Sequence, residues 1–226
     1  MRLVLKTITV SLILLFSVAA TFAQNTTYVK YAMSGDGQVG EMLSSSTVEL
    51  YFNPDNFKME MDMMGGMIAM DMRMDLKKET GIMLMDMMGQ QQYKVLDKDD
   101  TDEEEAPGKM PEIKYLNEYK TIAGDKCQKA VVQSDDMERP IVVYFAEDMA
   151  IPTSIQKYLD EMKMQGIKGF PLQYEVQDPE NGKVVVKATE VANKRYPKNI
   201  FSTKVPDGYT EMDENGANMV PGLMGK

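Results

Sequence analysis

Twelve methionines fall in the thirty residues from Met59 to Met88, over half of the chain's 23, and most recur at every second position, as in Met59-Glu60-Met61-Asp62-Met63 and Met70-Asp71-Met72-Arg73-Met74. A period of two places such side chains on one face of a β-strand. The thioether is a flexible apolar group that moulds to irregular surfaces, and it is also a soft ligand that selects Cu(I). Two chemistries are therefore open to this segment. Methionine lining on a sheet can shelter an acyl chain or another hydrophobic small molecule, or its sulfurs can hold a soft metal ion. An ordinary packed core is the plain alternative, although Leu, Val and Ile specify packing better than methionine does. A fourth possibility is an envelope interaction module whose apolar face meets a partner protein.

Catalytic equipment is scarce. The chain has no histidine, which removes the commonest general base, the usual zinc ligand and every Ser-His or Cys-His nucleophile. Ser154-Ile155-Gln156-Lys157 matches a Ser-x-x-Lys pattern, but no Lys-Thr-Gly follows it, so a helix-capping role for Thr153 or Ser154 is the expected one. Asp97 and Asp99 open with calcium-loop spacing, yet the sixth position is Asp102 where glycine is required and the twelfth is Gly108 where glutamate is required. With no tryptophan in the chain a sugar-stacking cleft is disfavoured. The expectation is a protein that is not an enzyme and carries no cofactor.

Export is written at the start of the chain. Arg2 and Lys6 precede an apolar run over 8–20, and Thr21-Phe22-Ala23 supplies small residues for cleavage, so residues 1–23 read as a secretory signal peptide. The apolar run is shorter than the ~20 residues a membrane span needs, so no stable membrane span is expected after cleavage. Loss of Arg2 and Lys6 leaves 23 basic against 35 acidic residues, a net charge of −12 over 203 residues. Such a surface repels nucleic acid and anionic lipid headgroups. One cysteine, Cys127, cannot form an internal disulfide, so the core must hold the protein together; Cys127 reads as a small apolar residue at a strand entrance. The expected address is periplasmic or secreted.

These residues must be positioned by strands. After a polar start, alternation predicts strands over 46–52 and 57–64 about the turn Asn53-Pro54-Asp55-Asn56. Gly65-Gly66 suits a two-residue hairpin turn. In that register Met63 faces Ile68, Met61 faces Met70, Met59 faces Met72 and Phe57 faces Met74, while Glu60 meets Asp71 and Lys58 meets Arg73 on the other face, relieved by the diagonals Lys58–Asp71 and Glu60–Arg73. Met59, Met63, Met67, Met70 and Met74 also fall at helical spacing, but the double glycine and the polar alternation at 58, 60, 62 and 71, 73, 75 favour strands. Further strands are expected over 82–88 and 92–96, with Gly89-Gln90 as the turn, then near 116–122, 126–133, 140–146, 170–176 and 183–191. Seven acids among residues 97–105 read as part of a solvated linker over 97–109 between two halves. Pro152-Thr153-Ser154 opens a helix ending at Gly166, and the tail 213–226 reads as disordered, leaving 24–212 as a single domain.

The second half carries a recognisable pattern. Ile122-Ala123-Gly124-Asp125-Lys126-Cys127-Gln128-Lys129-Ala130, Gly169-Phe170-Pro171-Leu172 leading into Gln173-Tyr174-Glu175-Val176, Ile200-Phe201, and Val205-Pro206-Asp207-Gly208-Tyr209 resemble an exported bacterial family defined only as a domain of unknown function. Its members often share the methionine-rich first half, and the resemblance spans residues 45–212. That family is similar in fold to the lipoprotein-carrier (LolA/LolB-like) group. The resemblance implies a mainly β (α+β) fold: a strongly curved antiparallel sheet or open half-barrel, with one or two helices covering the concave face and a hydrophobic guest inside. It supplies no catalytic residue. The ligand-binding candidates are Phe57, Met59, Met61, Met63, Met70, Met72, Met74, Met83, Met85 and Met87; for the alternative Cu(I) chemistry they are Met59, Met61, Met70 and Met72.

Overall fold

A computed structural model describes residues 23–97, 110–134, 137, 139–149, 151, 156, 164, 166–178 and 182–212. The expected signal segment up to residue 22, the Ser-x-x-Lys pair, most of the acidic linker, most of the helix expected over 152–166 and the tail from 213 lie outside them. The described chain forms one curved, unclosed sheet of twelve strands.

The first half is a meander. Strand β1 (Ala23–Gly35) leads through the short helix α1 (Gly37–Leu43) into β2 (Thr47–Asn53), β3 (Asn56–Met63), β4 (Ile68–Asp75), β5 (Thr80–Met87) and β6 (Gln90–Leu96). The second half is another meander: β7 (Glu112–Ile122), β8 (Asp125–Gln133), β9 (Ile141–Ala146), β10 (Phe170–Asp178) and β11 (Gly182–Pro197). A 3-10 turn at Lys198–Phe201 and the two-residue strand β12 (Thr210–Glu211) finish the described chain. The strand order β12-β6-β5-β4-β3-β2-β1-β11-β10-β9-β8-β7 places the first strand against the last long one, so β1 and β11 form the seam between the halves. Their antiparallel register runs from Ala23 opposite Pro197 to Gly35 opposite Val184, with a bulge at Lys30/Tyr31.

Local chemistry explains the turns. Asn53 Oδ1 accepts from the backbone N–H groups of Asp55 and Asn56, both at 2.9 Å, which closes the β2–β3 turn. The β3–β4 connection keeps the expected register but is wider than two residues, covering 64–67. Its Gly66 N–H donates to Met63 O at 3.2 Å, and φ is positive at Met64, Gly65 and Gly66. The β5–β6 turn falls one residue earlier than expected, on Met88-Gly89, because both residues take the positive φ (53° and 87°) that a tight hairpin needs.

β1 did not stand out as a strand in sequence, since it is buried from both sides. Val29 and Tyr31 face one core while Thr26 and Tyr28 are buried on the other face, so the apolar-polar alternation is blurred. The Tyr31 hydroxyl donates to Pro171 O at 2.8 Å and ties β1 to β10. Helix α1 packs on β1 and β11. A Cβ on Gly40 would collide with the Gly35 backbone, which explains glycine there.

One hydrophobic cluster runs across both halves, joining Val29, Val48, Phe52, Phe57, Met61, Met70 and Met72 to Ala130, Val132, Val143, Phe145 and Leu172. We call the face that holds it the inner face. Val29 is fully buried at the seam. Val29→Thr keeps the shape but buries a hydroxyl, so urea denaturation should show a loss of about 1–3 kcal/mol. The same exchange at exposed Val95 should leave the midpoint unchanged; equal effects at the two sites would contradict the seam.

Candidate functional site

The methionine hairpin has the register its alternation predicts: Phe57 pairs Met74, Met59 pairs Met72, Met61 pairs Met70 and Met63 pairs Ile68. The next strand extends each row, with Met72 opposite Met83, Met70 opposite Met85 and Ile68 opposite Met87. On the other side Phe52, Leu50 and Val48 of β2 face Phe57, Met59 and Met61. Two rows can be followed back across the seam. One is Val191, Val29, Leu50, Met59, Met72 and Met83; the other is Ala188, Tyr31, Val48, Met61, Met70 and Met85. All ten sequence candidates thus share the inner face of three adjacent strands.

Every inner-face residue from β2 to β5 is apolar, and the first polar groups appear on β6, where Lys94 faces Met83 and Gln92 faces Met85. Phe57, Met61, Met70, Met72, Met83 and Met85 are buried, while Met59, Met63, Met74 and Met87 are half-buried. Gly81 ends the row of Phe57 and Met74, and a Cβ there would overlap the Met74 sulfur, so the thioether fills the space of an absent side chain. The methionines are packed into the core cluster rather than exposed in an open trough. Among the described residues the cover includes Met164 and Ile167, buried in the same cluster, with Met149 and Ile151 packed against it.

The opposite face of the same strands is charged. Side by side lie Glu49 of β2, Glu60 of β3 and Asp71 of β4, a like-charge row that is unfavourable unless compensated. Lys30 reaches Glu49 at 2.8 Å, Lys58 reaches Glu60 at 2.7 Å and Asp71 at 3.5 Å, and Arg73 reaches Asp71 at 2.6 Å. The Lys58–Asp71 diagonal is present as expected. Glu60 takes Lys58 from its own strand, whereas Arg73 turns to Asp71 and donates to Ser202 O at 3.0 Å, so the expected Glu60–Arg73 pair is replaced. Tyr51 donates to Glu49 at 2.7 Å and its ring lies against that of Tyr28 at a tilt of 47°, the centroids 5.0 Å apart.

A cavity of about 320 Å³ opens on this outer face, lined by Glu49, Glu60, Asp62, Asp71, Asp86, Leu84 and Tyr209 among others. Sequence reasoning missed it, because its carboxylates come from four strands and each reads alone as a solvated alternate position. Tyr209 closes the Val205–Tyr209 motif and arrives from the segment after the 3-10 turn. The 3-10 turn itself packs on β3 and β4, Ser202 O then accepts from Arg73, and the segment ends in parallel pairing of Thr210 with Gln92. The motif is thus explained by a strap across the outer face.

No group of three or more His, Cys, Asp or Glu side chains is placed to hold a metal ion among the described residues. No helix among them is long and apolar enough to cross a membrane. Cys127 is buried, and desolvation followed by the nearby Asp125 charge pushes its thiol up to about 11, the behaviour of an inert core residue. Burial raises the Glu49 carboxyl, but hydrogen bonds from Lys30 and Tyr51 outweigh it and hold the group below the usual carboxylate range. Its stabilisation is therefore full above the unfolded value and lost as pH falls through the lower folded one. Stability should fall as pH is lowered through and below the ordinary glutamate range, and Glu49→Gln should flatten part of that drop in pH-dependent thermal melts. A variant with an unaltered pH profile would show that the outer-face pairing contributes nothing.

A family model described as "Domain of unknown function (DUF4412)" matches residues 38–209. No curated protein matches the chain. Among solved structures, the chain is similar to two crystal forms of PNGF-II at 17% identity, with TM-scores of 0.46 and 0.47. The match covers 87% of this chain but 32% and 33% of those, so the chain spans about a third of their length. It is also similar to the Mycobacterium tuberculosis lipoprotein LppX, at 8% identity and a TM-score of 0.37, over 74% of this chain and 85% of that one.

Proposed function

The chain belongs to the DUF4412 family, and from that premise we propose that it is an exported, non-enzymatic protein that holds a lipid acyl chain or another hydrophobic small molecule on its methionine face. The observation that carries this reading is the grid of Met59, Met72, Met83 and Met61, Met70, Met85, two rows of three thioethers in register on one apolar face. A core needed only for stability gains uniqueness from branched side chains. Thioethers instead keep several rotamers at similar energy, so the face can repack around guests of differing shape. The guest would take space now filled by core side chains that pack on the grid, exchanging one set of apolar contacts for another. The polar boundary at Lys94 and Gln92 sets the edge of the apolar area.

Export is supported by the basic start and the apolar run over 8–20. A binding role in preference to catalysis is supported by the absence of histidine from the chain.

The test is uptake of a fluorescent fatty acid from micelles. Met→Leu at 59, 61, 70 and 72 nearly conserves volume, at a cost usually below ~1.5 kcal/mol per site, and should leave capture intact. Met70→Lys places a charge in the middle of the grid and should abolish it. If the unaltered protein takes up no fatty acid from micelles or vesicles, the apolar-guest reading fails.

A further inference from the structure

The structure separates the twelve methionines from Met59 to Met88 into two populations, nine on the inner face and three at the turns, and the second is unexplained by any apolar guest. The pairing of β3 with β4 ends at Met63 and Ile68, and that of β4 with β5 ends at Ile68 and Met87. Just beyond those last pairs, in the turns at the same end of the three strands, lie Met64, Met67 and Met88. The two turns are joined by a backbone hydrogen bond from Met88 N–H to Met67 O at 2.9 Å. Met67 is 45% exposed and Met88 79% exposed. Met64 is half-buried, so it is at Met67 and Met88 that burial gives little reason for a large apolar side chain.

Backbone conformation adds a second reason to look for a role. Met64 and Met88 have φ of 55° and 53°, in the left-handed region that glycine, asparagine and aspartate enter more readily. Each is followed by a glycine with positive φ, Gly65 and Gly89. Asn-Gly is the favoured pair at such a tip. Glu79 and Ala123 also have positive φ, but the two methionines sit on neighbouring tips and bear the same functional group. Residues held in costly conformations concentrate where a site needs them.

We propose that Met64, Met67 and Met88 form a surface site for a soft monovalent cation of the Cu(I) class. The two turns bring the three residues to one end of adjacent strands, and the three flexible bonds of each methionine let the sulfurs converge on one ion. Thioethers select Cu(I) over harder metals. The next outer-face row carries Asp62 and Asp86 on either side of Ala69, which adds an attractive field for a cation. Asp86 also accepts from Gly89 N–H at 2.8 Å and so steadies the tip. A thioether has no proton to lose, so affinity should be flat across neutral pH, unlike that of a thiolate or imidazole site. The site is separate from the inner-face grid and stands or falls independently of the apolar-guest reading.

The full chain is titrated with Ag(I), a soft monovalent probe of the same class, and with Cu(I) against a chromophoric competitor. The unaltered protein should bind one ion, with affinity constant from about pH 6 to pH 8. Met→Leu at 64, 67 and 88 together should weaken binding by about tenfold or more, since the sulfurs are gone and the volume remains. Met→Leu at 59, 61, 70 and 72 should leave it unchanged. Met88→Asn suits its left-handed turn at an exposed position, so it should fold at least as stably while weakening the metal. Absence of binding to the unaltered chain, retention of full affinity by the tip variants, or loss on altering the inner-face methionines instead would each overturn the proposal.

Discussion

Everything in this fold hangs on the pairing of β1 with β11. Two meanders, each built from neighbouring hairpins, become one sheet because the first strand lies beside the last long one. Along that seam Val29 meets Val191 and Tyr31 meets Ala188, and the apolar rows continue from there into the methionine strands. The pairing is remote in sequence, so chain-closure entropy opposes it until both halves have formed. Without the seam the two halves would lose their shared core cluster.

From the seam outward, strand alternation does two jobs at once. On the inner face, Leu50, Met59, Met72 and Met83 make an unbroken apolar row. On the outer face of those strands Glu49, Glu60 and Asp71 stand together and are neutralised by Lys30, Lys58 and Arg73. The charged lattice helps fix the register, since a slip of one residue would carry carboxylates into the core. A face of flexible side chains can thus be held in register by salt bridges behind it. The strap ending at β12 adds Tyr209 to that charged side and gives the Val205–Tyr209 motif its place.

Much of this was legible in the residues. The methionine alternation predicted the hairpin register pair by pair, and most of the strands from 46 to 191 lie where their patterning placed them. Family membership read from short motifs over 45–212 agrees with the match over 38–209. Other features were hidden for physical reasons. β1 is buried on both faces and shows no clean alternation, and helix α1 is short, with Gly37 and Gly40 inside it. The wider turn at 64–67 and the shifted turn at Met88-Gly89 depend on methionines in a left-handed conformation, which propensity argues against. The outer-face cavity draws its lining from four strands and the strap, a gathering that only the register creates.

Whether an apolar guest lies on the inner-face grid can be read at the methionines themselves. Solution NMR of protein carrying 13C-labelled methionine methyl groups, titrated with a fatty acid, reads that face directly. A guest on the proposed face should give saturable shifts of Met61, Met70, Met72, Met83 and Met85, with Met88 at the exposed tip unmoved. Shifts confined to the tips, or none at all at saturating fatty acid, would contradict that reading.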